Sequence, residues 1–408
     1  MRYQCDAVGD GASGAAGLPV PESAEFAMRP FPHRLLVALA LLLPLPAPTL
    51  AQGAVGALRG TVRAAPSDAP LPYAVVAIPA LQVERFSGAA GDFFIGALPV
   101  GDYDVSIKRL GFVPQRVRVR ITAGGTTPLE VRLLQVPVRL ANVQVRPTEP
   151  CLSPGLPDST RFPEVAQLVG LLRENADRFR LLATQYPFSF LQVRAQGRLG
   201  AAAMIVDRVD TLRIESSTRA GYRPGRVVVD QYLGNRRETV MAIPTIIDIT
   251  DERFVESHCF RYAGTSTRGG ETWVQLDVRA ADAIRSPDVN GAFHLDSATA
   301  QLRKMELELS RPDRLPRGLR DIRLVRVITS FLDIAPGLSI IDVICGVNWL
   351  KSARGKETRP PMELQQVLAY AFRQPPPDVA PSRELSLPRW RPMGRVERET
   401  LSCATEPE

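Results

Sequence analysis

The chain has 408 residues, of which 45% are apolar and 36 are proline, and a net charge of +7. That length allows two or three domains with real cores, and so much proline disfavours an architecture of long helices. The positive charge is spread through stretches such as Arg116-Val117-Arg118-Val119-Arg120, where arginines alternate with apolar residues as on a solvated sheet face. No basic run interleaved with aromatics occurs, which argues against a nucleic-acid partner. Attraction to an acidic surface is compatible with the charge.

From Met28 a basic start, Met-Arg-Pro-Phe-Pro-His-Arg, leads into a short apolar run, Leu35 to Leu45, and a small-residue exit. This reads as a secretory signal peptide over residues 28–51 with Gln52 as the first mature residue. The apolar run is too short and too interrupted by proline for a spanning helix, so the mature chain is expected not to span a membrane. Residues 1–27 precede that leader and read as an upstream extension, Met28 being the expected start. Export fits the cysteines. Four follow the leader, Cys151, Cys259, Cys345 and Cys403, and an even number in an oxidising compartment predicts two disulfides. Three pairings are open, of which Cys151–Cys259 with Cys345–Cys403 is favoured.

Residues 53–146 predict a first domain of seven or so short strands without helical period, a seven-stranded antiparallel β-sandwich in a mainly β chain. Its strands are expected near Gly56–Arg63, Tyr73–Ile78, Leu81–Ser87, Val113–Thr122, Leu129–Leu133 and Leu140–Val145. The centrepiece is residues 91–112. Phe93 and Ile95 alternate with Phe94, and Tyr103, Val105 and Ile107 alternate with Asp104, Ser106 and Lys108. Two strands around the turn Leu98-Pro99-Val100-Gly101 follow, read as a hairpin.

Gly60-Thr61-Val62, Pro70-Leu71-Pro72-Tyr73-Ala74-Val75-Val76, Gly91-Asp92-Phe93-Phe94-Ile95, Leu98-Pro99-Val100-Gly101-Asp102-Tyr103 and Leu110-Gly111-Phe112 occur in that order. The stretch resembles a carboxypeptidase regulatory-like domain, the transthyretin-like sandwich that accompanies metallocarboxypeptidases and occurs in bacterial envelope proteins. Ala89-Ala90 departs from the Thr-Asp usual before Gly-x-Phe. In that family the sandwich is an appendage and the zinc site lies elsewhere, on a His-x-x-Glu pair and a further His. This chain has only His33, His258 and His294, with Arg261 and Ser297 three residues after the last two. A carboxypeptidase activity is therefore not expected, nor any cofactor or metal.

A proline-rich linker is read over 147–160. Residues 161–372 then predict a helix with the stripe Val165, Leu168, Val169, Leu171, Leu172, Phe179 and Leu182, followed by consecutive strands that curl against it. Strands are expected at Phe188–Gln196, Asp207–Ser216, Arg226–Tyr232, Ala242–Ile249, Phe254–Tyr262, Thr272–Val278, Gly291–Asp296, Leu302–Leu309, Asp321–Phe331, Leu338–Trp349 and Pro361–Phe372. Within it, Tyr262-Ala263-Gly264, Trp273 and Gly291-Ala292-Phe293-His294-Leu295-Asp296-Ser297-Ala298-Thr299-Ala300-Gln301-Leu302 resemble the half-barrels of periplasmic lipoprotein carriers. The resemblance implies an apolar pocket able to take an acyl chain; the alternative is a sheet whose apolar face the helix fills. Residues 373–408 read as an extended tail unless Cys403 tethers it.

Chemistry is thinly signalled. His258 and Cys259 are neighbours on a strand and point to opposite faces, so they cannot act as base and nucleophile. His294 and Asp296 share a face and form the one candidate polar site. Asp248, Asp251 and Glu252 lack the spacing of a calcium loop, and Trp273, Trp349 and Trp390 read as fillers. The reading is an exported, non-enzymatic envelope protein that binds an envelope protein or, alternatively, an apolar ligand; a hydrolase is a second alternative.

Overall fold

The computed structural model describes residues 2–4, 54–136, 150–233, 236–351, 359–385, 395–397, 401 and 403–405. The expected leader, the strand at Leu140–Val145 and Trp390 lie outside the described residues. Strand β1 (Arg2–Gln4) runs parallel to β12 (Arg236–Ala242), which pairs with β11 (Val228–Leu233).

Among the described residues the first domain has seven strands: β2 (Val55–Ala65), β3 (Val75–Ile78), β4 (Val83–Phe86), β5 (Asp92–Pro99), β6 (Gly101–Lys108), β7 (Gln115–Ile121) and β8 (Thr126–Leu134). They form two sheets, β5-β2-β8 and β4-β3-β6-β7. Leu58, Val62, Phe93, Ile95, Val105, Ile107, Ile121, Val131 and Leu133 fill the core between them. All pairs are antiparallel except β2 with β8, which run parallel. One expectation is corrected. The arms of the supposed hairpin, β5 and β6, do not pair with each other, because the corner at Val100 carries the chain from one sheet to the other. Period-two alternation fixes which side chains point inward but not which strand lies alongside. Phe93 and Ile95 are buried and Phe94 is 55% exposed.

Two of the motif glycines are demanded by geometry. Gly91 has φ +76°, and a Cβ there would sit 2.4 Å from the Val62 carbonyl oxygen. A Cβ on Gly60 would sit 1.8 Å from the Leu129 carbonyl oxygen. Leu98 is buried, Tyr103 Oη donates to the Pro99 carbonyl at 3.1 Å, and Gly111 turns the chain at φ +77° so that Phe112 packs against the core. Pro99 and Gly101 flank the corner.

The second domain opens with α1 (Pro163–Gln185), with Pro163 in its first turn; Pro fits there because that N–H has no helical acceptor. Among the described residues it lies on an 11-stranded antiparallel sheet. Its members are β9 (Phe188–Leu199), β10 (Ala203–Glu215), β13 (His258–Arg268), β14 (Glu271–Ala280), β15 (Val289–Asp296), β16 (Leu302–Leu309), β17 (Ile322–Ala335), β18 (Leu338–Leu350), β19 (Pro361–Phe372), β20 (Ser382–Glu384) and β21 (Arg395–Glu397). The order is β13-β14-β15-β16-β17-β18-β19-β9-β10-β21, with β20 beside β19. Leu168, Val169, Leu172 and Ala176 of α1 meet Val274, Leu276, Phe293, Leu295, Met305, Leu307, Val325, Val327 and Ile344 of the sheet.

Two expected strands are corrected. Ala242–Ile249 is not a strand beyond its first residue: Pro244 removes a ladder donor, and the chain turns into a 3₁₀ turn at Asp248–Thr250. Phe254–Tyr262 begins as a short helix, α2 (Glu252–Glu256), before β13. Asp251 caps α2 by accepting from the Arg253 amide, and Glu252 sits in the first turn, where a negative charge meets the helix's positive end.

Disulfides join Cys151 to Cys259 and Cys345 to Cys403. The first binds the segment after residue 150 to β13, where the Gly155 amide donates to the His258 carbonyl at 3.0 Å. The second pins the tail to the face of the sheet away from α1. There Leu401, Cys403 and Ala404 pack with Ile328, Val347, Trp349, Met362 and Leu364. The tail is thus held on the sheet at residues 401 and 403–405, and β20 and β21 pair with it as well.

Candidate functional site

Among the described residues little space is left between α1 and the sheet. The cavity lined by Asn175, Arg178, Phe179, Leu182, Ile246, Leu302 and Phe331 measures about 10 Å³, the room of one water. The apolar face implied by the carrier resemblance is therefore filled by the helix and the residues around Ile246.

A larger concavity, about 670 Å³, lies at the β13 end of the sheet. Leu152, Pro157, Phe162 and Val165 wall it on one side, and Arg261, Asp277, Asn290, Glu306, Glu308 and Arg326 are among its floor residues. Phe260 and Arg261 both line it, yet neighbours on a strand point to opposite faces. The groove therefore passes over the edge of β13, which pairs only with β14 among the described residues. Leu152 is 77% exposed and Phe162 45%. Neither signalled a site in the sequence, because nothing local tells a solvent-facing Leu from a core one.

The floor is a ladder of ion pairs. Arg261 meets Asp277 at 2.6 Å and Arg326 meets Glu308 at 2.9 Å. Glu306 is flanked by Lys304 and by His294 Nε2 at 3.2 Å, off the line of a good hydrogen bond. Burial alone would raise the Glu306 carboxyl, but His294 and Lys304 outweigh it and hold it down at about 2. Lys304 is lowered by its burial, and its ammonium lies 6.0 Å over the Trp273 ring. His294 thus faces Glu306. Asp296 serves the turn after β15: it accepts from the Ala298 amide at 2.8 Å and from Thr299 Oγ1 at 3.0 Å, and pairs with Arg303 at 3.0 Å. The two side chains share a face but have separate partners.

His258 is fully buried. Its Nδ1 lies 2.7 Å from the Phe254 carbonyl and its Nε2 3.2 Å from the Val289 carbonyl, with Asp288 3.8 Å away. Burial lowers its pKa, against the pull of those partners. Asp288 accepts from Tyr222 Oη at 2.9 Å and from the Gly225 amide at 2.6 Å. With no exposed member, this network binds the Tyr222 loop to β13 and β15. Asp248 accepts from the Tyr222 and Thr245 amides, and Asp251 pairs with Arg253, so the acidic cluster near 250 caps backbone. Among the described residues no three His, Cys, Asp or Glu side chains gather to hold a metal ion, and no helix is long and apolar enough to cross a membrane.

The two domains meet at Arg178 of α1. Its Nη2 donates to the Tyr73 carbonyl at 2.8 Å and its Nε to the Gly337 carbonyl at 3.0 Å, while the guanidinium lies 5.4 Å over the Phe86 ring. Burial pushes it down to about 9. Around it Tyr73, Phe86, Leu181, Phe188, Leu338 and Tyr370 form a shared apolar cluster. No local signal announces this junction, since Arg178 reads as one more charge on an amphipathic helix.

A search of curated proteins returns no match. Among solved structures, the chain is similar to the minor pilin GBS52 of Streptococcus agalactiae, at 17% identity and TM-score 0.19, over 23% of this chain and 49% of the pilin. It thus spans about half that protein's length. It is similar to a Vibrio parahaemolyticus domain assigned to outer membrane lipoprotein sorting, at 9% identity and TM-score 0.26, over 49% of this chain and 92% of that one. A LolA superfamily protein of Nitrosomonas europaea matches at 10% identity and TM-score 0.26, over 54% and 94%. Residues 57–134 match the family model of the carboxypeptidase regulatory-like domain, and the sandwich is a domain of that family.

Proposed function

We propose that the protein is an exported, non-enzymatic binding protein of the bacterial envelope, in which a regulatory-like sandwich is fixed to a β-rich domain that presents its edge groove to a protein partner. The observation that carries this reading is the contrast between the two faces of the large sheet. The apolar face is packed to a residual cavity of about 10 Å³, whereas the groove of about 670 Å³ has a charged floor. An acyl chain gains by leaving water for an apolar lining and loses by displacing water from ion pairs. The groove therefore suits polypeptide, which brings hydrogen-bonding groups of its own. Native mass spectrometry of protein purified from the periplasm tests the reading. The bare chain mass, unchanged by organic extraction, is expected, with a cross-linked protein partner in whole cells. A lipid adduct lost on extraction would overturn it in favour of a carrier.

A further inference from the structure

We infer that the Cys151–Cys259 disulfide is a reducible latch, opened by a dithiol reductant that enters the groove, and that opening it frees the groove's Leu152 wall from the sheet. The inference rests on the reading of the groove as the protein's working site.

The two disulfides stand in different surroundings. Cys345 and Cys403 are 0% exposed and packed among Ile328, Val347, Trp349, Met362 and Leu364. Cys151 is also buried, but Cys259 is only half-buried and lines the groove of about 670 Å³. A disulfide yields to a thiolate that can reach one of its sulfurs, and exposed disulfides are the labile ones. Charge does not make the difference. Arg261 and Arg279 line the groove beside Cys259, and Arg279 is its partner in the β13–β14 register. They pair with Asp277 at 2.6 Å and Asp282 at 3.6 Å, so access is what sets the two bonds apart.

Little else holds the wall. Among the described residues, the stretch from Pro150 to Arg161 is tied to the rest of the domain by the disulfide and by two backbone hydrogen bonds. The Gly155 amide donates to the His258 carbonyl at 3.0 Å, and the Asp282 amide donates to the carbonyl of Cys151 itself at 3.0 Å. Asp158 spends its carboxylate inside the stretch, on the Thr160 and Arg161 amides. Leu152 and Leu156 are 77% and 58% exposed, so burial adds little. A segment with so few buried contacts opens locally at small cost once its covalent tie is gone. Helix α1 stays in place, because Leu168, Val169, Leu172 and Ala176 pack it on the sheet independently of the bond.

The chemistry is thiol–disulfide exchange. One thiolate of the reductant attacks Cys259 Sγ; the S–S bond breaks and Cys151 leaves as a thiolate, which takes a proton from water. The reductant's second thiol gives up its proton and displaces Cys259 from the mixed disulfide, and Cys259 is protonated in turn. Two electrons pass to the protein, both cysteines end reduced, and the dithiol ends as its own disulfide.

The test takes the full mature chain under native conditions through rising dithiothreitol, traps free thiols with iodoacetamide and maps them by peptide mass spectrometry. Cys151 and Cys259 should be labelled at a reductant concentration about tenfold or more below that for Cys345 and Cys403. In the protein reduced at that bond alone, hydrogen exchange should speed about tenfold or more at the Gly155 and Asp282 amides while β15 to β18 keep their protection. The double variant Cys151→Ser, Cys259→Ser should show the same exchange without reductant. Opening of both disulfides together, opening only with loss of protection across the sheet, or unchanged exchange at Gly155 and Asp282 after reduction would each overturn the inference. Those results would leave the partner reading standing, whereas a lipid adduct would remove that reading and leave the latch as measured.

Discussion

The guanidinium of Arg178 donates to the main-chain carbonyl of Tyr73, 2.8 Å away and 105 positions earlier in the chain. Tyr73 itself has φ +54°, a conformation uncommon for a bulky side chain, and its Oη donates to the Pro377 carbonyl at 2.9 Å. One sandwich residue is therefore held both by the helix and by the chain beyond β19. Gln185 donates to the Glu84 carbonyl, and Asp378 accepts from the Ala89 amide at 3.1 Å. Within the sandwich, Arg109, lowered by its burial, donates to the Pro72 carbonyl at 3.0 Å and so braces the residue before Tyr73. A junction with this many specific polar contacts fixes the orientation of the two domains more firmly than apolar packing alone.

Arg178→Met keeps most of the side-chain volume and removes the donors, leaving the Tyr73 and Gly337 carbonyls without that partner. The loss should be roughly 2–4 kcal/mol, concentrated at the junction. Scanning calorimetry should resolve separate unfolding of the sandwich and the β-rich domain where the parent shows one transition. A single transition at the parent temperature would mean that Arg178 does not couple the domains.

Glu306 makes stability depend on acid. Its carboxyl titrates at about 2 in the folded protein against an ordinary 4.5. The unfolded chain therefore takes up the proton first, and stability contributed by the ionised form is complete above pH 4.5 and lost as the pH falls towards 2. The contribution at neutral pH is on the order of 3 kcal/mol. Glu306→Gln should lower stability at pH 7 by about that amount and flatten the acid limb of the urea midpoint between pH 5 and 2. An unchanged acid limb would show that the His294 and Lys304 contacts do not stabilise the carboxylate.

Period-two alternation made most strands of both domains legible, since burial of alternate residues leaves its mark on every half-buried strand. Leu302–Leu309 and Pro361–Phe372 have the expected bounds. Partnership was not legible: nothing local distinguishes a hairpin from the crossing at Val100 between two sheets. The α2 turn was readable in principle, because Asp251-Glu252 is a cap followed by a first-turn acid, but the apolar run Phe254-Val255 drew the reading towards a strand. The groove and the junction were invisible because they join residues such as Phe162 with Arg326, and Tyr73 with Arg178, that only the fold brings near each other.

Gly91 offers a direct check on the sandwich motif. Alanine there must adopt φ +76° and place its Cβ 2.4 Å from the Val62 carbonyl oxygen, which the Val62–Gly91 backbone bond at 2.8 Å holds close. Gly91→Ala should cost roughly 2–4 kcal/mol, seen as a lower melting temperature of the sandwich. Gly124→Ala is the control: it has positive φ but no atom within 4 Å of the added Cβ, so strain alone applies and the cost should be about 1 kcal/mol. Equal losses at the two sites would show that the close approach at Gly91 is relieved by movement of the chain.

The Cys345–Cys403 bond closes a loop of sequence separation 58, and chain entropy assigns such a link about 4 kcal/mol. Both cysteines are 0% exposed, so reductant should leave the bond intact in the folded protein and break it only on unfolding. Cys403→Ser should lower the melting temperature and let Leu401 and Ala404 leave Ile328, Val347, Trp349, Met362 and Leu364, shifting Trp349 emission to the red and raising the binding of an apolar dye. Cys345→Ser removes the same link and should match it. If the melting temperature falls without a change in emission or dye binding, the tail stays seated by its apolar contacts and the disulfide acts on the unfolded chain alone. If neither quantity changes, Leu401, Cys403 and Ala404 contribute nothing to that face of the sheet, and the packing account of the tail fails.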